Sequence, residues 1–193
     1  LGNQTPKTPG FLKALENDER LIANPWNMRS LDAVQPDDRV LIVGAGLTML
    51  DVVLYLRRRG HTGSIHAVSR HGHLPMVHTE AKPGDPLDLP TTSALHAMRE
   101  LVKRARAHED WRSVIDSVRP NTQRIWTGLS HAEKKRVVRL LQTYWDIHRH
   151  RMAPEIANEI TELREAGRLT LQGGRVLGAT PGESVKVRVQ NRH

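Results

Sequence analysis

A short apolar run that ends in glycine and opens directly into a helical pattern constrains this chain more than any other feature. Arg39-Val-Leu-Ile-Val43 is bounded by polar residues and shows no alternation, the pattern of a parallel strand buried on both faces. It ends at Gly44-Ala-Gly46. From Leu47 to Arg59 the apolar residues Leu50, Val53, Leu54 and Leu56 recur near helical spacing. Arg57 to Arg59 favour the negative end of the helix dipole, and Gly60 supplies the C′ residue. Ser64 to Ser69 reads as a second strand, which makes a right-handed strand, helix, strand unit.

The remainder is organised around that unit. Residues 1–38, rich in Pro, Gly, Asn and Asp, read as a connecting arm whose apolar anchors are Phe11 to Leu15 and Leu21 to Ile22. His71 to Pro90 is a loop heavy in Pro, Gly and His. Helical patterns follow: a stripe of Leu95, Met98, Leu101, Val102 and Ala105; a short helix capped by Asp110 and ended or restarted at Pro120; and a longer one opened by the capping-box pair Ser130 and Glu133 and running through Val137, Leu140, Leu141, Tyr144 and Ile147. A fourth begins near Pro154 and stops at Gly167. Leu169 to Leu171, Val176 to Ala179 and Val185 to Val189 are strand-like; the first is expected to rejoin the parallel sheet and the last two to form a hairpin through Thr180-Pro-Gly-Glu183. The expected fold is therefore α/β: a Rossmann-like three-layer parallel sheet over 39–193, with a helical insertion at about 91–166 and a C-terminal β-hairpin.

Composition narrows the chemistry. With 38% hydrophobic and 26% charged residues in 193, the chain has enough apolar side chains for one domain with a sizeable core, or one carrying a subdomain. No apolar run approaches the roughly 18 residues of a membrane span, and the first residues lack the pattern of a signal peptide, so a cytoplasmic location is expected. The absence of cysteine excludes disulfides, thiolate metal sites and a cysteine nucleophile. A net charge of +8 suits a polyanion, either a phosphate-bearing cofactor or a nucleic acid. The cations that would serve nucleic acid, Arg99, Lys103, Arg104, Arg106, Lys134, Lys135, Arg136 and Arg139, fall on helices whose other faces are apolar. That is the ordinary pattern of a solvated surface.

The glycine turn carries the chemistry. Gly44 permits a tight turn, Gly46 lets backbone approach a pyrophosphate, and the helix start supplies free N–H donors from Ala45, Gly46, Leu47 and Thr48, with the Thr48 hydroxyl as a further donor. Met49 stands at the third position of G-x-G-x-x-G, where glycine serves helix packing and not the phosphate. Asp51 reads as a helix-dipole residue. At the end of the second strand, where a carboxylate would select NAD by its ribose 2′-hydroxyl, the chain has Ser69-Arg70-His71-Gly72, which favours the 2′-phosphate of NADP(H). His148-Arg-His-Arg151 is a second cationic cluster, suited to an anion, a neighbouring domain or the end of its own helix. His71, His73 and His78 have only Glu80 near ligand spacing, too few donors for a metal site. Trp26, Trp111, Trp126 and Trp145 read as core or interface residues.

Leu1-Gly-Asn-Gln-Thr-Pro6, Ile22-Ala-Asn-Pro-Trp26, Val40-Leu-Ile-Val-Gly-Ala-Gly-Leu-Thr-Met-Leu-Asp51, Ser69-Arg-His-Gly-His-Leu-Pro75 and Trp145-Asp-Ile-His-Arg-His-Arg-Met-Ala-Pro154 together resemble the bacterial FAD/NAD(P)-binding proteins of the YdhS-like type. That family is similar to the flavin-dependent N-hydroxylating monooxygenases. The resemblance implies a larger oxidoreductase whose FAD domain lies before Leu1 and after roughly Val189, with this segment as its NAD(P)H domain, inactive by itself. Other readings of the residues are a degenerate Rossmann scaffold that binds no nucleotide and a basic nucleic-acid module. Steep salt dependence would mark the second.

Overall fold

The computed structural model describes residues 6–80, 85–90, 92–107 and 110–192; residues 1–5 of the arm, with the motif that opens there, and 81–84 of the loop lie outside that set. Along the chain run β1 (Val40–Val43), α1 (Leu47–Arg58), β2 (Ile65–Ser69), α2 (Ala94–Ala107), α3 (Trp111–Val118), α4 (Thr122–Gly128), α5 (His131–Leu140), α6 (Gln142–Arg149), α7 (Pro154–Glu165), β3 (Leu169–Thr180) and β4 (Lys186–Asn191). The result is a mixed α/β architecture in two compact units, one of residues 1–74 with 155–193 and the other of residues 75–154. No helix among the described residues is long and apolar enough to cross a membrane.

The first unit is a four-stranded sheet in the order β1-β2-β3-β4. β1 pairs parallel with β2, Val40 opposite Ile65, and β2 pairs parallel with β3, Ile65 opposite Leu169. The last pair is an antiparallel hairpin. The two strand-like stretches expected at Leu169 to Leu171 and Val176 to Ala179 are one continuous β3. Its first half serves the parallel sheet and its second half the hairpin. Gly173 and Gly174, which interrupt the apolar pattern, do not turn the chain. A Cβ on Gly174 would lie 2.9 Å from the Gln190 carbonyl oxygen, so glycine is needed there for close approach of the two backbones.

Both helices that lead into parallel strands end in the same way. Gly60 (φ +82°) donates to the Arg57 carbonyl and His61 to that of Leu56, at 2.9 and 3.0 Å; Gly167 (φ +68°) and Arg168 repeat the pair on Arg164 and Leu163. These are Schellman endings, with glycine at the left-handed position. They end α1 and α7 ahead of β2 and β3, and the Arg168 guanidinium ties the two endings together by donating to the His61 carbonyl at 2.5 Å. Arg57 of α1 reaches Glu162 and Glu159 of α7 at 3.2 and 3.7 Å, but these groups are more than a third exposed and each pair is worth under about 1 kcal/mol. The stability of this layer comes from the apolar side chains removed from water, among which Leu50, Val53, Val68 and Ile160 are almost wholly buried.

The arm is built into this unit. Leu12 and Leu15, on a 3-10 turn at Gly10–Leu15, pack with Ala179, Phe11, Leu21, Val185 and Val187 against the hairpin. Arg20 donates to the carbonyls of Gly182 and Glu183 in the hairpin turn, at 3.0 and 3.2 Å. A second 3-10 turn, Met28–Ala33, meets α1 where Tyr55 donates to Asp32 at 2.5 Å.

The second unit is helical around Leu89, Ala97, Leu101, Val114, Ile115 and Val118. Its two ends are joined by a parallel bridge between Val77 and Met152. Asp110 caps α3 through the Arg112 amide, and the Ser130 hydroxyl accepts from the Glu133 amide at the start of α5. The Glu133 carboxylate does not return to Ser130 as a capping box would. It accepts from the Ala94 amide at 2.7 Å and so caps α2 instead. The single long helix expected from Ser130 through Ile147 is broken at Leu141 (φ −115°) into α5 and α6, which leaves Leu140 and Tyr144 exposed. The helix that begins at Pro154, expected within the insertion, groups from Glu155 onward with the sheet.

A Cβ at Gly63 would stand 2.1 Å from the Asp38 carbonyl oxygen, whereas one at Gly10 meets nothing within 4 Å. Gly63→Ala is expected to cost about 3 kcal/mol and Gly10→Ala no more than about 0.5 kcal/mol, checked by urea unfolding of the two variants.

Candidate functional site

The turn after β1 is fixed at one end by a ladder bond. The Gly44 amide donates to the Val68 carbonyl at 2.8 Å, extending the β1-β2 pairing by one residue, and Gly44 then takes φ +121°, a backbone that side chains rarely allow. Ala45 turns inward and is buried. Gly46 occupies the N-cap position of α1 at φ −88°, ψ −170°, with no side chain capping the helix, and its carbonyl accepts from Met49 at 3.0 Å. The amides of Ala45, Gly46, Leu47 and Thr48 find no acceptor among the described residues. They form a run of donors at the positive end of a twelve-residue helix.

The two glycines exist for different reasons. The φ of Gly44 demands glycine. That of Gly46 does not, and a Cβ there would meet no atom within 4 Å, so nothing inside the fold requires its absence. Met49, in the third position of the glycine pattern, is 3% exposed and belongs to the core. Leu47 and Val43 stand out beside the turn at 38% and 44% exposure. Thr48 is half-buried and Asp51 exposed, and neither makes a side-chain bond among the described residues.

At the end of β2 the Ser69 hydroxyl accepts from the Gly72 amide at 3.0 Å and closes its own turn. Gly72 (φ +65°) is pressed onto β3, where its Cβ would come within 2.9 Å of the Gly173 nitrogen. Arg70 is exposed and has no ion pair among the described residues. His71 stacks on His73 with ring centres 5.9 Å apart. The Arg192 guanidinium, delivered from just beyond β4, is also in contact with the imidazole. Partial burial, then Arg192, Arg70 and His73, hold the His71 pKa below the ordinary histidine value. The sequence reading overlooked Arg192, since only the pairing of Gly174 with Asn191 brings it across the sheet.

The other cationic cluster is occupied inside the second unit. Arg151 has a side-chain exposure of 6%; it grips both Asp116 oxygens at 3.0 and 3.1 Å, donates to the His148 carbonyl and lies 5.3 Å from the Trp111 ring. Arg112 covers Trp111 at 4.6 Å and His148 meets its edge at 4.8 Å. Trp145 packs on the same core, while Trp26 and Trp126 are exposed. The cations of α2 and α5 lie mostly in solvent, with Arg136 on Glu133 at 2.7 Å and Lys134 beside Trp126. Among the described residues no three His, Asp or Glu side chains are placed to hold a metal.

No family model matches the chain, and no curated protein matches it significantly.

Removing Asp116 strands a buried guanidinium. Asp116→Ala is expected to cost about 3 kcal/mol, measured as a lowered urea midpoint, whereas Asp51→Ala leaves the midpoint within about 0.5 kcal/mol of the parent.

Proposed function

We propose that the sheet unit is the nicotinamide-nucleotide domain of a larger FAD-dependent oxidoreductase of the YdhS-like type, and that it holds NADPH for hydride transfer to a flavin bound on the remainder of that protein. The observation that carries this reading is Gly46. A residue that needs no left-handed backbone and crowds no neighbour is nonetheless glycine, at the mouth of four amides that find no acceptor among the described residues. A diphosphate approaching the backbone at that point accounts for both facts.

The topology supports a half of a Rossmann fold. β1, β2 and β3 succeed one another in one direction, so right-handed crossovers put α1 and α7 on one face, in agreement with their ion pairs. Dinucleotides bind where strand order reverses, beside the first strand. Here β1 is an edge whose Val43 is half exposed, and the full three-layer arrangement would need a strand on its open side. In this reading that side belongs to the FAD domain, for which this chain offers no second glycine turn.

Each residue then has a task. The Gly44 backbone sets the turn; the amides of Ala45, Gly46, Leu47 and Thr48 take the diphosphate, with the Thr48 hydroxyl at its side; Leu47 and Val43 give an apolar rim. Ser69 orders the loop that presents Arg70 to the 2′-phosphate, and no carboxylate stands at that strand end to favour a bare 2′-hydroxyl. Bound dihydronicotinamide supplies the hydride; the protein supplies binding and orientation.

Calorimetric titration tests the reading. NADP⁺ should bind about tenfold or more tightly than NAD⁺, the worth of one or two charge-assisted bonds. Gly46→Val should abolish binding of both with the fold intact. Equal binding of either dinucleotide to Gly46→Val and parent would refute the reading, and no binding by the parent would favour a scaffold.

A further inference from the structure

Resting on that reading, we infer that Arg192 completes the 2′-phosphate receptor: with Arg70 and His71 it forms a site of two guanidiniums and an imidazole for a phosphate monoester, built from the loop after β2 and the end of β4. Two segments 121 residues apart are locked together here. The Arg192 amide donates to the Gly173 carbonyl at 3.1 Å, and Gly72 is packed against the Gly173 backbone. Beside them the Gln172 amide donates to Asn191 at 2.5 Å, fixing the strand end from which Arg192 projects. The Arg192 guanidinium, 3.3 Å from His71 Nε2, has no carboxylate partner among the described residues, and neither has Arg70. Guanidinium beside imidazole is a repulsive pairing once the ring is protonated, and after partial burial, the larger cause, Arg192 helps to hold the His71 pKa below the ordinary histidine value. An anion with two charges and three acceptor oxygens relieves it, and the planar fork of an arginine matches a phosphate face.

The position also fits the ligand. Ser69 closes β2 and Arg70 follows it, where the adenosine ribose of a dinucleotide on the glycine turn would lie, and Arg192 approaches from the β3 side of the same strand end. A 2′-hydroxyl carries no charge for the two guanidiniums to meet, so the cluster discriminates by charge.

The test uses the whole chain, with calorimetry and imidazole NMR on the parent, Arg192→Ala and Arg192→Lys. Arg192 is exposed, so the variants should keep the parent circular dichroism. Adenosine 2′-monophosphate is expected to raise the His71 pKa and adenosine 5′-monophosphate to leave it unmoved. Arg192→Ala should weaken NADP⁺ about tenfold, with NAD⁺ unchanged and Arg192→Lys partly restoring affinity. A preference for NADP⁺ unaltered in Arg192→Ala, with His71 indifferent to the 2′-monophosphate, overturns the inference while leaving the nucleotide reading intact. Binding of the 2′-monophosphate at His71 without binding of either dinucleotide upholds the receptor and removes the nucleotide domain. Failure of every probe removes both.

Discussion

Parallel pairing of β1, β2 and β3 is the constraint on which the rest of the sheet unit depends. Parallel neighbours cannot be joined by a turn; each step needs a crossover that returns the chain to the starting end. The first crossover is α1 alone. The second carries the whole of residues 75–154 and ends in α7. Both helices stop at a left-handed glycine, with one residue between Gly167 and β3 and four between Gly60 and β2. The same pairing aligns the carboxyl ends of β1 and β2, and the Gly44 to Val68 bond carries that alignment into the glycine turn.

The amide donors and the cations therefore belong to one edge. The donors follow β1, Arg70 and His71 follow β2, and the continuation of β3 into a hairpin brings Arg192 back to the same place. The hairpin is more than a terminal ornament: its far end anchors the arm through Leu12, Leu15 and Ala179, and its near end meets His71. Stability and the candidate chemistry draw on different residues. The core is Leu50, Val53, Val68 and Ile160, and the groups assigned to nucleotide binding are exposed or half-buried, apart from Ala45.

Where a structural feature follows from neighbours in sequence, it was legible. The strand, glycine turn, helix and second strand came through because each has a local cause: an unbroken apolar run, a glycine at a forbidden backbone angle, a 3.6-residue stripe. The capping roles of Asp110 and Ser130 were local too. What escaped was non-local. Gly173 and Gly174 read as a strand boundary, but Gly173 packs on the His71–Gly72 backbone and Gly174 on β4. The break at Leu141 has no proline or glycine to announce it. The sequence leaves the His148 to Arg151 cluster open between an anion, a neighbouring domain and its own helix end, because Asp116 and Trp111, which occupy Arg151, lie more than thirty residues earlier. Arg192 carries no local signal at all, because its neighbour His71 is set by sheet register.

The measurement that bears most directly on the central claim is a backbone amide NMR titration of the intact chain with NADP⁺. The glycine-turn reading predicts that the amides of Ala45, Gly46, Leu47 and Thr48 move first and furthest, downfield as they take up phosphate oxygens, with Arg70 following. NADP⁺ that binds while those four amides stay in place would contradict it and put the nucleotide elsewhere on the protein.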